Sequence, residues 1–167
     1  MVVDDLAMRF GRRFKAGKGA FFLAEASRKF PAVLVKPTTF MNRSGIAVRQ
    51  ILRAKGISHE EILVVSDDME LPFGRLRIRK FGSAGGHNGL KDIIMRLESD
   101  DFPRLRIGID RPQGNRDGAD YVLSKFDRAE AKELPFIVRR ASEAVETTIF
   151  QGLEAAMNEF NRIKENE

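Results

Sequence analysis

An α/β fold in one domain, with a mixed and mostly parallel twisted sheet flanked by helices, is what this sequence predicts. Three observations lead there. Helix and strand periodicities alternate along the chain, the continuous apolar run Ile62-Leu63-Val64-Val65 suits a strand covered on both faces, and the last third is helical. A chain of 167 residues is long enough for one core and too short for two generous ones.

The elements follow in order. Val2, Val3, Leu6, Ala7 and Phe10 recur at helical spacing, with Gly11 as the stop. A strand is expected over 21–25 and a buried one over 32–35, ending at Lys36-Pro37. Residues 44–54 read as a helix with Ile46, Ala47, Ile51 and Leu52 as its apolar stripe and Gly56 at its end. The apolar run over 62–65 stops at Asp67-Asp68. Arg75-Leu76-Arg77-Ile78-Arg79 has strict period two, a strand with arginine on one face and aliphatics on the other. The loop Gly82 to Gly89 leads into a helix over 90–97, and residues 104–109 form another alternating strand. A short helix near Tyr121, a long one over 128–150 interrupted near Pro135, and a last one over 153–164 complete the chain.

Composition bounds the function. Hydrophobic residues make up 43% and charged residues 32%, the balance of a folded soluble chain rather than a disordered one. No apolar run approaches membrane-span length, and the first residues carry two acids and no basic region, so neither a span nor a signal peptide is expected. Cysteine is absent, which excludes disulfides, thiolate zinc sites and a cysteine nucleophile, and agrees with a cytoplasmic location. A net charge of +5 and a pI near 9.7 point to an anionic partner.

Three places could carry chemistry. Ser66-Asp67-Asp68-Met69-Glu70 follows a buried strand, where ligands of open α/β sheets bind. A carboxylate there can orient an imidazole, accept a proton or hold a metal; a solvated turn closed by Leu71-Pro72-Phe73-Gly74 is the plainer reading. In the loop Gly82 to Gly89, glycines let backbone amides approach a ligand and the following helix offers free N–H groups. His87 could serve as base, donor or ligand and Asn88 could fix a carbonyl, although Asn-Gly is also an ordinary turn pair. The loop fits neither the dinucleotide fingerprint nor the Walker pattern. Arg75, Arg77 and Arg79 form a basic row at roughly 6.6 Å spacing, to which Arg104 and Arg106 add a second. Five arginines against no acid on those faces favour nucleic-acid phosphates over a merely solvated face.

Five segments then narrow the field. Residues 36–45, Lys-Pro-Thr-Thr-Phe-Met-Asn-Arg-Ser-Gly, resemble a KPxTFMNxSG motif, and residues 64–74 resemble VVHDELDLPxG. Residues 82–91 match GSAGGHNGLK at every position, residues 102–109 are similar to FxRLRIGIGRP, and residues 121–126 fit the YVLxxF of DYVLxxF. In that order and spacing they resemble the bacterial-type peptidyl-tRNA hydrolase family over essentially the whole chain.

The resemblance implies a single domain over 1–167 whose C-terminal helices close a cleft, and a monomeric, cytoplasmic hydrolase without metal or cofactor. Its reaction would cut the ester joining a stalled peptide to the 3′ end of tRNA. Asp67 falls on the aspartate that orients a catalytic histidine, Asn42 and Asn88 on asparagines that hold the water and the peptide carbonyl, and His87 on a loop histidine lining the cleft. Arg77, Arg79 and Arg106 fall on positions that meet tRNA phosphates, and Phe40 joins Asn42 and Asn88 among the tRNA contacts. Family members also carry, before the residue matching Met1, a central strand with a GLGNPG turn and a TRHN motif that supplies the general base. None of these motifs occurs in the 167 residues, so the base is expected upstream of Met1. A start assigned too far downstream is the first expectation, ahead of a trimmed chain or a degenerate paralogue. A central strand missing from the sheet would leave unpaired backbone groups. His59, in a polar Ser-His-Glu-Glu turn, is expected to be solvated, and Ser66 stands where the family usually has histidine. The alternative is a non-catalytic RNA-binding protein on the same fold, as in intron-splicing relatives. A nucleotide-using enzyme is a distant third, because no Gly-Lys-Ser/Thr ending follows the glycines.

Overall fold

Helical spacing at the start of the chain produces α1 (Val2–Arg9), which buries Val2, Leu6 and Ala7. Its acids lie in the first turn and Arg9 in the last, as the helix dipole favours, and Gly11 at φ 61° turns the chain away. The computed structural model describes residues 1–111 and 118–162.

β1 (Lys15–Ala16), β2 (Phe21–Ala24) and β3 (Leu34–Pro37) form an antiparallel sheet with β2 in the middle. A 3-10 turn over Met41–Arg43 then leads into α2 (Ser44–Lys55), which lays Ala47 and Ile51 against Phe21 and ends at Gly56 in the left-handed region.

The second sheet has the order β4-β6-β5, from β4 (Val64–Asp68), β5 (Leu76–Arg79) and β6 (Arg104–Gly108). β4 starts two residues later than the apolar run and continues through both acids. β4 and β6 are parallel, while β5 and β6 are antiparallel. α3 (Asn88–Leu97) packs Leu90 and Ile93 with Phe102 and Val64 on one face of this sheet. The other face, with Leu76, Ile78 and Leu105, belongs to a larger core shared with α1, Leu34 of β3, α5 (Arg128–Gln151) and α6 (Leu153–Phe160). Between β6 and α5, the short α4 (Gly118–Val122) is tied to the end of β6 by Tyr121, whose hydroxyl donates to the Ile109 carbonyl at 2.6 Å.

Two expectations are corrected. The strands make two three-stranded sheets rather than one, and among the described residues only the β4–β6 ladder is parallel. Short connections join β1, β2 and β3, which favours antiparallel pairing; no ladder links that sheet to β4, so β3 and β4 each keep an edge without a strand partner among the described residues. The α/β class stands. Pro135 does not interrupt α5, which runs unbroken through 24 residues. The proline is exposed and forfeits one hydrogen bond, while Ala141, Ala144 and Val145 further along bury the helix in the core. The expected end of the last helix near Lys164 lies outside the described residues.

Candidate active site

The glycine-rich loop leaves β5 and bends through three left-handed positions, Gly82 at φ 146°, Gly85 at 56° and Gly86 at 82°. A side chain would strain each of them, and a Cβ on Gly85 would lie 2.8 Å from Nη2 of Arg106. The loop ends at His87, which caps α3: its Nδ1 accepts the Leu90 N–H at 3.1 Å. Because Nδ1 accepts, the hydrogen-bond network assigns the ring proton to Nε2, which faces Oδ1 of Asp67 at 3.3 Å. Burial opposes ionisation of Asp67, but the hydrogen bond and favourable electrostatics of the His87 ring outweigh it and hold the carboxyl below the usual carboxylate range. Both ring nitrogens of His87 are thus engaged.

Strand alternation separates the two neighbouring acids. Asp67 turns toward His87, whereas the buried Asp68 faces β6 and makes a 2.7 Å ion pair with Nε of Arg106, without a well-aligned hydrogen bond. Ser66 lies on the Asp68 side with its hydroxyl buried and unpartnered, away from the imidazole.

The segments that carry the asparagines pack together at the same end. Asn88 opens α3, and Asn42 lies in the 3-10 turn before α2. A Cβ on Gly89 would be 2.6 Å from Sδ of Met41 and 2.8 Å from Cε1 of His87, so the Asn42 turn abuts the loop. The two helices are locked there: the Gly45 N–H donates to Oδ2 of Asp92 at 2.8 Å, and a Cβ on Gly45 would come within 2.5 Å of the Asp92 carbonyl. Asn42 and Asn88 are exposed, and neither side-chain amide bonds a described residue. Phe40, just before the turn, is 81% exposed.

The arginines divide. Arg77 and Arg79 are exposed and make no ion pair among the described residues. Arg75 donates to the carbonyls of Asn161 and Arg162 at the end of α6. Arg104 is 1% exposed and does not belong to a basic surface row. Its guanidinium reaches the carbonyls of Gly82 and Asp100 at 2.5 and 2.7 Å and stacks 4.2 Å from the Phe102 ring. Burial pulls its pKa below the ordinary arginine value, with Asp100 opposing and Arg106 reinforcing the shift.

Sequence reasoning missed the roles of Arg104, Asp92 and Asn161. Asp92 and Arg96 have the i,i+4 spacing of a helix pair, which is a readable sign, but the Gly45 contact spans 47 positions. Asn161 lies beyond α6 yet pairs both backbone groups of Ile78 on the free edge of β5, a contact with no sequence signature. His59 is half-buried against Ser99, with Nε2 3.1 Å from the hydroxyl, rather than solvated. Among the described residues no group of three or more His, Asp or Glu could hold a metal ion, and no helix is long and apolar enough to cross a membrane.

Comparison with known proteins gives the family of the chain. The family model for peptidyl-tRNA hydrolase matches residues 1–167. A protein of Synechococcus sp. (strain JA-3-3Ab) named peptidyl-tRNA hydrolase is 48% identical over 96% of this chain and 72% of its own length. One of that name from Clostridium botulinum (strain Alaska E43 / Type E3) is 42% identical over 99% of this chain and 86% of its length. The crystal structure of peptidyl-tRNA hydrolase from Acinetobacter baumannii superposes with a TM-score of 0.89 at 30% identity, covering 98% of this chain and 84% of that one. The motifs, the fold and the match along the whole length agree: the chain belongs to the peptidyl-tRNA hydrolase family.

Proposed function

We propose that the protein hydrolyses the ester between a peptide and the 3′ end of its tRNA, acting in the cytoplasm as a monomer of one domain. The observation that carries this reading is the convergence of Asp67, His87 and two free asparagine amides at one end of β4, in a chain that matches the family throughout. The chemistry needs a base to take a proton from water, a carbonyl carbon for the hydroxide to attack, and donors for the oxyanion that forms before the 3′ oxygen of tRNA departs with a proton. Asn42 and Asn88 hold the water and the carbonyl. Arg77 and Arg79 meet phosphates, Arg106 joins them with its charge already balanced by Asp68, and Phe40 contacts the acceptor end.

A general base needs an imidazole nitrogen free to accept a proton. His87 has none in this geometry, since Nδ1 holds the Leu90 N–H and Nε2 carries the proton facing Asp67. His87 therefore lines the site, and the base is the histidine of a TRHN segment that the resemblance puts ahead of the residue matching Met1. Peptide release should be measured for the 167-residue chain and for the chain preceded by that segment. The expected result is binding of peptidyl-tRNA by both, release by the second, and loss of release on Asp67→Ala. Release by the 167-residue chain alone, abolished by Asp67→Ala, would make His87 the base.

The occupied His87 ring also favours a second reading, an RNA-binding protein without catalysis. Binding without release by either form would establish it.

A further inference from the structure

Arg104 has an environment that a structural cation does not require. It is fully buried, and no carboxylate of a described residue lies within 4.0 Å of it. Instead, Nη1 donates to the carbonyls of Gly82 at 2.5 Å and Ser83 at 3.1 Å, and Nη2 donates to that of Asp100 at 2.7 Å. The planar fork thus ties the start of the glycine loop to the segment that precedes β6. A lysine, with its point charge on a flexible stem, cannot span both in this geometry. Between the tie and His87 lie Ala84, Gly85 and Gly86. The loop is largely exposed, and the two glycines enlarge the conformational freedom that folding must remove. His87 is fixed from its far side by Asp67 and by the Leu90 N–H. Arg104 supplies the fixing on the near side.

We propose that Arg104 is a positioning residue: by gripping the carbonyls of Gly82 and Ser83 it sets the path of the glycine loop, and through it the ring of His87 and the amide of Asn88. This deepens the hydrolase reading and rests on it for its catalytic consequence, but the positioning itself is open to a test that needs no turnover. The probe is the intact chain uniformly labelled with nitrogen-15, compared as wild type and Arg104→Lys.

In the wild type the His87 ring should report a single tautomer with its proton on Nε2, and the Leu90 amide should exchange slowly. Arg104→Lys should give a mixed His87 tautomer, broadened amides over 83–88, and exchange at Leu90 faster by about tenfold. Amides of α2 and α5 should stay unchanged. Arg104→Ala with millimolar guanidinium ion should recover the wild-type His87 spectrum, and methylammonium should not. In a peptide-release assay of the chain preceded by the TRHN segment, Arg104→Lys should lower kcat and leave KM within about twofold.

An unchanged His87 ring in Arg104→Lys would overturn the proposal. So would a disturbance spread evenly over α2 and α5, or failure of Arg104→Lys to fold, because Arg104 would then be a core residue without a specific tie to the loop. Absence of peptide release from the chain preceded by the TRHN segment would remove the hydrolase reading and leave the spectroscopic result standing.

Discussion

β5 and β6 carry arginines directly opposite one another, Arg77 against Arg106 and Arg79 against Arg104, on the same face of one sheet. Their environments differ. The β5 pair points to solvent, whereas on β6 Arg104 grips backbone carbonyls and Arg106 leans on Asp68. Position explains the difference: β5 is an edge strand, while β6 is the middle strand and faces the loop and α3. Arginine serves both settings because its guanidinium binds carbonyls and carboxylates inside a protein as readily as phosphates outside it. A basic stripe in sequence therefore becomes a free basic surface only on the strand that reaches solvent.

The comparison can be broken most sharply at Arg104. Arg104→Met strands the carbonyls of Gly82 and Ser83, leaves that of Asp100 only the Gly82 N–H, and should cost about 3 kcal/mol or more, read as a lower urea midpoint. The double change Arg77→Ala with Arg79→Ala should leave stability within about 0.5 kcal/mol. It should also flatten the dependence of log tRNA affinity on log salt by about 1.5, the loss of two phosphate contacts. A smaller effect of opposite sign is expected from Asp68→Asn, which releases Arg106 and should steepen that slope by no more than about 0.9. The last concerns pH. The folded state keeps Asp67 ionised below its ordinary pKa of 3.8, so the unfolded chain binds more protons in that range. The stability from Asp67 is present above pH 3.8 and fades as pH falls through the lowered value; Asp67→Asn should flatten that part of an acid-unfolding curve.

The same contrast shows what the sequence made legible. Local patterns were readable: the alternation of β5, the apolar start of β4, the capping loop before α3 and the acids that end β4 all appear in the structure near their expected places. Asp67 and His87, 20 positions apart, approach to 3.3 Å, a contact that the motifs alone do not specify. What could not be read is set by tertiary partners. Period two assigns Arg104 and Arg106 to one face of β6, but only the packing of α3 and the loop over that face buries one, and Asp68 of the neighbouring β4 neutralises the other. The division into two sheets depends on which strands find neighbours, a property of the assembled layers. Pro135 breaks a local rule and is tolerated because α5 is held by its buried stretch beyond it.

The most direct test of the account sets the two adjacent acids against each other in peptide release, at saturating peptidyl-tRNA, by the chain preceded by the TRHN segment. If the reacting groups gather on the Asp67 side of β4, Asp67→Asn should lower kcat by about a hundredfold or more, whereas Asp68→Asn should stay within about threefold. Equal losses, or a larger one at Asp68, would contradict the assignment of Asp67 and His87 to the active site.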